Sequence, residues 1–117
     1  MFKFQKLHVW DKAVEYNVLL LDVADHLPYR DQSSFGDQLK RAALSITNNI
    51  AEGSGRKTLK DSNHFFSIAK GSVYETINIL IIMVKAKKIT LSTEEKQSIY
   101  DKGEEICKML SGLMKNV

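Results

Sequence analysis

GDQLKRAALSITNNIAEGSGR, residues 36–56, reads as one helix with two unlike faces and a defined stop. At about 100° per residue, Phe35, Leu39, Ala42, Ala43, Ile46 and Ile50 gather on one side. Arg41, Ser45, Asn48 and Glu52 gather on nearly the opposite side. An ordinary solvent face is filled with Lys and Glu, which favour helix. Ser and Asn are weak helix formers because their side chains compete for the backbone. A row of small polar residues therefore predicts that this second face also touches something. Ser33 or Ser34 is placed to cap the helix, and Gly53 to end it in a left-handed C-cap.

Three further helices flank this one. The first runs from about Leu7 to Leu27, with a full apolar stripe at Val9, Ala13, Tyr16, Leu20, Val23 and Leu27. A second stripe runs through Trp10, Val14, Val18, Leu21 and Ala24, and Pro28 stops the helix. Thr58 begins a helix that continues to about Lys88, where Lys85, Lys87 and Lys88 suit the negative end of its dipole. Ser92 and Glu95 form a capping box for the last helix, whose stripe is Ile99, Gly103, Ile106, Leu110, Leu113 and Val117. No segment reads as a strand, and the connections are short. The expectation is all-α: an antiparallel up-down-up-down four-helix bundle, with residues 1–117 as a single domain.

One bundle needs one apolar stripe per helix. The first helix has two, and INILIIMV, residues 77–84, is apolar nearly all round. Surplus apolar faces predict a homo-oligomer that buries part of the first and third helices. Gly71 in the middle of the third helix, beside Ser72, is expected to permit close helix approach.

At 117 residues the chain is long enough for a core without staples. Its single cysteine, Cys107, cannot close an intramolecular disulfide and reads as a buried structural thiol. The N-terminal MFKFQKLHVW lacks the continuous apolar segment of a signal peptide. The longest apolar runs, Val18–Leu21 and Ile79–Val84, fall far short of the ~20 residues that span a bilayer. A cytoplasmic protein with no membrane partner is expected. The net charge of +3 is uneven: residues 30–91 carry ten bases against five acids, and both flanks are slightly acidic. That distribution favours an anionic partner for the central hairpin.

Catalytic chemistry finds little support. A di-iron bundle needs two Glu-x-x-His motifs, and none of the seven glutamates is followed three residues later by His. His8, His26 and His64 lack His-x-x-x-His spacing. EGSGRKT, residues 52–58, departs from the phosphate-loop order and reads as a helix end and turn, although Arg56, Lys57 and the following helix N-terminus make an anion site conceivable. No metal, no cofactor and no enzymatic activity are expected. Antiparallel packing would instead gather Lys40, Arg41, Lys85, Lys87 and Lys88 at one end of the bundle, with Arg30 nearby. Lys3, Lys6, Arg56, Lys57 and Lys60 would gather at the other. Aromatic residues do not interleave with these bases in sequence, so binding should be directed at the phosphate backbone.

Three groups of residues resemble a known family. Phe4, Leu7, Val9-Trp10 and Lys12-Ala13 resemble its opening. Gln38-Leu39, Arg41-Ala42-Ala43, Ser45-Ile46, Asn49-Ile50-Ala51-Glu52-Gly53 and Gly55-Arg56 resemble its central block. Phe66, Ile68-Ala69, Gly71-Ser72 and Glu75 resemble its third-helix motif. The chain is similar in these positions to the 23S rRNA intervening-sequence proteins, and more distantly to the accessory variability determinants of diversity-generating retroelements. Thr47 stands where that pattern commonly has proline, so the second helix should be straighter. The resemblance implies a four-helix bundle assembled as a ring, typically a homopentamer, with no known catalytic activity. For the retroelement relatives it implies a basic surface that engages nucleic acid and a reverse transcriptase.

Two functions follow as expectations. The first is a non-enzymatic, ring-forming bundle that binds structured RNA or DNA through Lys40, Arg41, Arg56, Lys57, Lys60, Lys85, Lys87 and Lys88, as a ribonucleoprotein scaffold. The second is a protein–protein interaction module without a nucleic-acid role, in which a reverse transcriptase or another protein is the partner. In either, Trp10, Arg41, Ser45, Asn49, Glu52, Gly53, Gly71, Ser72 and Glu75 are expected to be structural or interface residues. Arg41 and Glu52 are expected to pair with Glu75 or Lys70, or across a subunit boundary.

Overall fold

The computed structural model describes residues 1–114, so Val117 of the last stripe lies outside the described residues. Four long helices make the fold: α1 (His8–Asp25), α2 (Asp37–Ser54), α3 (Leu59–Lys85) and α4 (Thr93–Met114). A 3-10 turn, Lys3–Lys6, precedes α1, and a helical turn, Tyr29–Asp31, with a π turn, Gln32–Gly36, leads into α2. Among the described residues there is no strand.

Cross-helix contacts set the direction of every neighbour. Asp25 meets Lys40 and Asn17 meets Thr47, so numbers fall on α1 as they rise on α2. Ser72 with Ser45 and Phe66 with Gly53 show the same opposition between α2 and α3. Lys70 with Ser111 and Val73 with Gly103 show it between α3 and α4. Glu15 with Lys102 and Lys12 with Glu105 close the square between α1 and α4. Each helix is antiparallel to both neighbours.

The expected stripes form most of the core, with Val23 and Phe35 only half-buried, Leu113 exposed, and Ala24 of the second α1 stripe buried. Val9, Ala13, Tyr16, Leu20, Ala24 and Leu27 are buried against Leu39, Ala43, Ile46 and Ile50, against Phe66, Ala69, Val73, Leu80 and Met83, and against Ile99, Ile106 and Leu110. By length and composition alone α3 is apolar enough to cross a membrane, with an 18-residue stretch of mean hydropathy 1.3. In the bundle that surplus is divided between the core and the surface, where Ile81 and Ile82 remain partly exposed. At the centre the Tyr16 hydroxyl meets Thr76 Oγ1 at 2.9 Å. The Thr76 hydroxyl itself donates to the Val73 carbonyl at 2.6 Å, so Tyr16 is the donor of the pair.

Two of the expected caps are present. Thr58 Oγ1 accepts from the Asp61 N–H at 3.1 Å. Ser92 and Glu95 exchange bonds of 2.9 and 3.0 Å, and the Ser92 N–H, with its side chain beside it, holds the Glu95 carboxyl below its usual value.

Other expectations are corrected. Neither Ser33 nor Ser34 caps α2; the helical path starts directly after Pro28, whose carbonyl accepts from Asp31 at 2.8 Å. The Ser34 hydroxyl donates back to the Asp31 carbonyl at 3.3 Å. Proline's fixed φ suits a helix entry, so the start falls earlier than the serines.

Gly53 is not a left-handed cap, since α2 continues to Ser54 and no described glycine has positive φ. A Cβ at Gly53 would lie 2.6 Å from Phe66 Cε1 and 3.1 Å from the Ser62 carbonyl oxygen. Close helix approach is thus the role of Gly53. Gly71, given that role above, is exposed, and a Cβ there would meet nothing within 4 Å. The left-handed residue is Lys87, at φ 59°, two residues beyond the end of α3. Its N–H bonds the Val84 carbonyl at 3.1 Å, and the next N–H bonds Met83 at 2.9 Å, which closes the helix in a Schellman turn.

These assignments predict opposite signs for two like substitutions. Gly53→Ala should lose about 1–3 kcal/mol in urea or thermal unfolding, because the Phe66 ring and a carbonyl must move. Gly71→Ala should gain up to ~1 kcal/mol of helix propensity. Equal effects would overturn the distinction.

Tyr16 carries a pH signature. Burial pushes its phenol from 10.0 up to about 12, against the smaller opposing effect of the Thr76 bond. A raised folded value means stability is complete below about 10 and falls as the pH climbs through about 12. The total is of order 2–3 kcal/mol. Tyr16→Phe should flatten that alkaline slope in denaturation midpoints, with Cys107 common to both proteins. An unchanged slope would remove Tyr16 as its source.

Candidate functional site

Antiparallel packing brings the expected basic residues to the two ends, but their charges are not equally available. At the end formed by the α1–α2 and α3–α4 connections, Lys40 Nζ lies 2.8 Å from Asp25. Lys88 Nζ lies 3.3 Å from Asp31, a side chain only 7 % exposed. Arg30 Nε stands 4.0 Å from the other oxygen of the same carboxylate. A buried carboxylate without a cation would be costly, so Lys88 is held as its counter-ion rather than offered to solvent. Lys40 and Lys88 thus each have a carboxylate partner within the chain. Arg41, Lys85 and Lys87 are exposed, with no carboxylate within 4.0 Å among the described residues.

The opposite end differs. Arg56 donates to Glu52 at 2.8 Å, and its guanidinium lies 4.4 Å from the centre of the Phe65 ring. Lys57 and Lys60 follow at the α2–α3 connection, and Lys3 and Lys6 sit on the 3-10 turn that packs against α2. All four are exposed, and none has a carboxylate within 4.0 Å among the described residues.

Glu52 thus pairs with Arg56, not with Lys70, and Arg41 does not meet Glu75 within the chain. Lys70 donates to the Ser111 hydroxyl at 2.9 Å. Glu75 is exposed. The small polar face of α2 is partly internal. Asn49 donates to the Ser45 carbonyl and hydroxyl at 2.7 and 3.0 Å, and Ser72 donates to Ser45 at 2.8 Å. The Ser72–Ser45 bond ties α2 to α3, whereas Asn49 bonds back within its own helix. Arg41, Leu44 and Asn48 remain on the surface. Trp10 is half-buried, with Phe4 at 5.1 Å and Phe2 stacked on Phe4 at 5.8 Å.

Among the exposed apolar residues, two places bear on assembly and binding. The second stripe of α1 is buried at Ala24 but open at Val18, which is 61 % exposed, and Leu44 of α2 is exposed as well. The other place is a groove of about 940 Å³ between α3 and α4, over Val73, Ile77 and Ile81, flanked by Tyr74 and Tyr100. It exists because α4 presents Gly103 and Gly112 where larger side chains would fill it. A Cβ at Gly103 would already touch Val73 and the Tyr16 hydroxyl at 3.3 and 3.4 Å. Sequence reasoning missed the groove. Tyr74, Ile77, Ile81 at helical spacing, opposite a glycine-containing α4, was the signal available.

Cys107 lies in this groove and is half-buried; burial pushes its thiol up, so it is not an activated nucleophile. Among the described residues no three His, Cys, Asp or Glu side chains gather as a metal site.

Residues 5–112 match the model of the 23S rRNA-intervening sequence protein family. No curated protein sequence matches the chain. The fold is similar to the crystal structure of a protein of unknown function from the S23 ribosomal protein family of Bacteroides thetaiotaomicron VPI-5482. The TM-score is 0.81 and the identity 27%, over 92% of this chain and 96% of that one.

Proposed function

The chain belongs to the 23S rRNA-intervening sequence protein family, and from that premise we propose that it is a non-catalytic, self-assembling bundle that holds structured RNA or DNA by its phosphates. The observation that carries this reading is the end bearing Lys3, Lys6, Lys57 and Lys60, exposed and without carboxylate partners among the described residues. Arg56 is held beside them, over the Phe65 ring and bonded to Glu52. Ammonium groups on exposed turns suit phosphates, which carry charge but no sequence information.

Self-assembly would repeat this end around an axis. Each copy then adds phosphate contacts at a high effective concentration. A ring, of five by the family resemblance, is the proposed arrangement. Val18 of α1 and Leu44 of α2, both exposed, supply apolar surface that such a contact would cover.

Binding of a structured RNA and a duplex DNA, measured at two salt concentrations, should weaken steeply with salt. Replacing Lys3, Lys6, Lys57 and Lys60 together by Ala should make the logarithmic salt slope shallower by about 0.9 per lost duplex phosphate contact. Absence of binding at low salt would sink the proposal. Val18→Asp should lower the mass seen in light scattering while leaving the helical circular dichroism unchanged. A variant with the parent's mass would exclude this α1–α2 surface as the assembly contact.

A further inference from the structure

The α3–α4 groove has a pattern that phosphate binding does not use. Its wide part continues into a second depression of about 220 Å³, and the two share Ile81 and Tyr100. Together they follow the two helices from Lys70 to Lys85, a run of about 22 Å at 1.5 Å per residue. The floor is aliphatic. Four lysines line the edges, one from each helix at each end: Lys70 with Lys108, and Lys85 with Lys96. None of the four has an ion-pair partner among the described residues. The lone carboxylate of the lining is Glu104.

We infer that this groove docks an acidic amphipathic helix of a partner protein, about four turns long. Length, floor and charge each favour that occupant. A straight trough beside two antiparallel helices accepts a third helix, whose apolar positions at i, i+3, i+4 and i+7 would cover Val73, Ile77 and Ile81. Tyr74, 63 % exposed, and Tyr100 stand as aromatic anchors able to keep their hydroxyls wet. Carboxylates in the first and last turns of the guest would meet the paired lysines at the two ends.

Other occupants fit less well. A fatty acid carries one charge at one end, whereas the cations stand at both. Nucleotide bases would press polar edges onto an aliphatic floor that has nothing to bond them. A two-fold contact with a second copy would set four lysines against four. The carboxylates on the α1–α4 side are already engaged, Glu105 with Lys12 and Glu15 with Lys102. This inference does not rest on the phosphate-binding end, and neither stands or falls with the other.

The test is fluorescence anisotropy of the full chain with a labelled peptide of about 15 residues, Leu at helical spacing and Glu elsewhere, beside a scrambled peptide of identical composition. The ordered peptide should bind at least about tenfold more tightly than the scrambled one. Tyr74→Asp, at an exposed position that leaves the core intact, should abolish that advantage. Lys70→Glu with Lys108→Glu should weaken binding by about tenfold, and a peptide with Lys in place of Glu should recover it. Equal binding of the two peptides, or undiminished binding by Tyr74→Asp, would overturn the inference. So would a fall in the protein's own mass in Tyr74→Asp, which would mean a second copy fills the groove. Loss of RNA binding in that variant, with peptide binding intact, would also count against it.

Discussion

Phe66 of α3 lies against a position on α2 that has no side chain at all. The ring occupies the space where a Cβ at Gly53 would stand, and the Ser62 carbonyl closes the same space from behind. Further along, Ser45 and Ser72 meet hydroxyl to hydroxyl, and Ala42, Ala43 and Ala69 are all buried. Small residues on both helices let the two backbones come close, and close backbones give dense dispersion contact along the whole pair. α1 and α4 then pack on the remaining sides of this pair, with Tyr16 bonded to Thr76 and Gly103 seated on Val73. A bulky residue at Gly53 would therefore disturb more than a helix terminus, since the α2–α3 distance sets the space into which α1 and α4 fit.

That close approach also explains what was legible in the sequence and what was not. The four apolar stripes, Thr58 as a cap and the Ser92–Glu95 box depend on residues a few positions apart, and local spacing reveals them. The role of Gly53 depends on Phe66, which lies thirteen positions away on another helix. A helical glycine near a helix end looks the same in sequence whether it caps or packs, so Gly53 was read as a cap and the close-approach role was given to Gly71. Lys40 and Lys88 read as free cations for the same reason: Asp25 and Asp31 reach them only after the helices have folded back. The Glu52–Arg56 pair, by contrast, has i, i+4 spacing and was readable, though a longer-range partner was expected for Glu52. The groove was hidden because it is a property of the spacing between α3 and α4.

Charge is thereby divided into two kinds. Lys40, Lys88, Lys12 and Lys102 join helices to one another. The exposed pairs among them add little stability each, while Lys88 answers a buried carboxylate. The lysines of the 3-10 turn and of the α2–α3 connection stand outside this internal pairing, as do those along the groove. Family membership and the similar bundle from Bacteroides thetaiotaomicron describe the shared frame. The separation of its cations into internal and outward sets is what gives this chain two surfaces that differ in kind, one polar at an end and one apolar along a side.

The π turn at Gln32–Gly36 gives the start of α2 a property of phase. A π turn holds one more residue than the α path it replaces, so everything before it is rotated by about 100° relative to everything after it. Traced back from Leu39 on an uninterrupted α-helix, Asp31 would point well to the side of the buried stripe. With the extra residue it turns inward, where it is found buried beside Lys88. The π turn thus acts as an angular spacer between two segments with separate duties: α2 faces the core, while Asp31 faces the far end of α3. If this turn refolded as plain α-helix with no residue removed, the helix would be perfectly regular and Asp31 would swing away from Lys88, unfastening the bundle at that end.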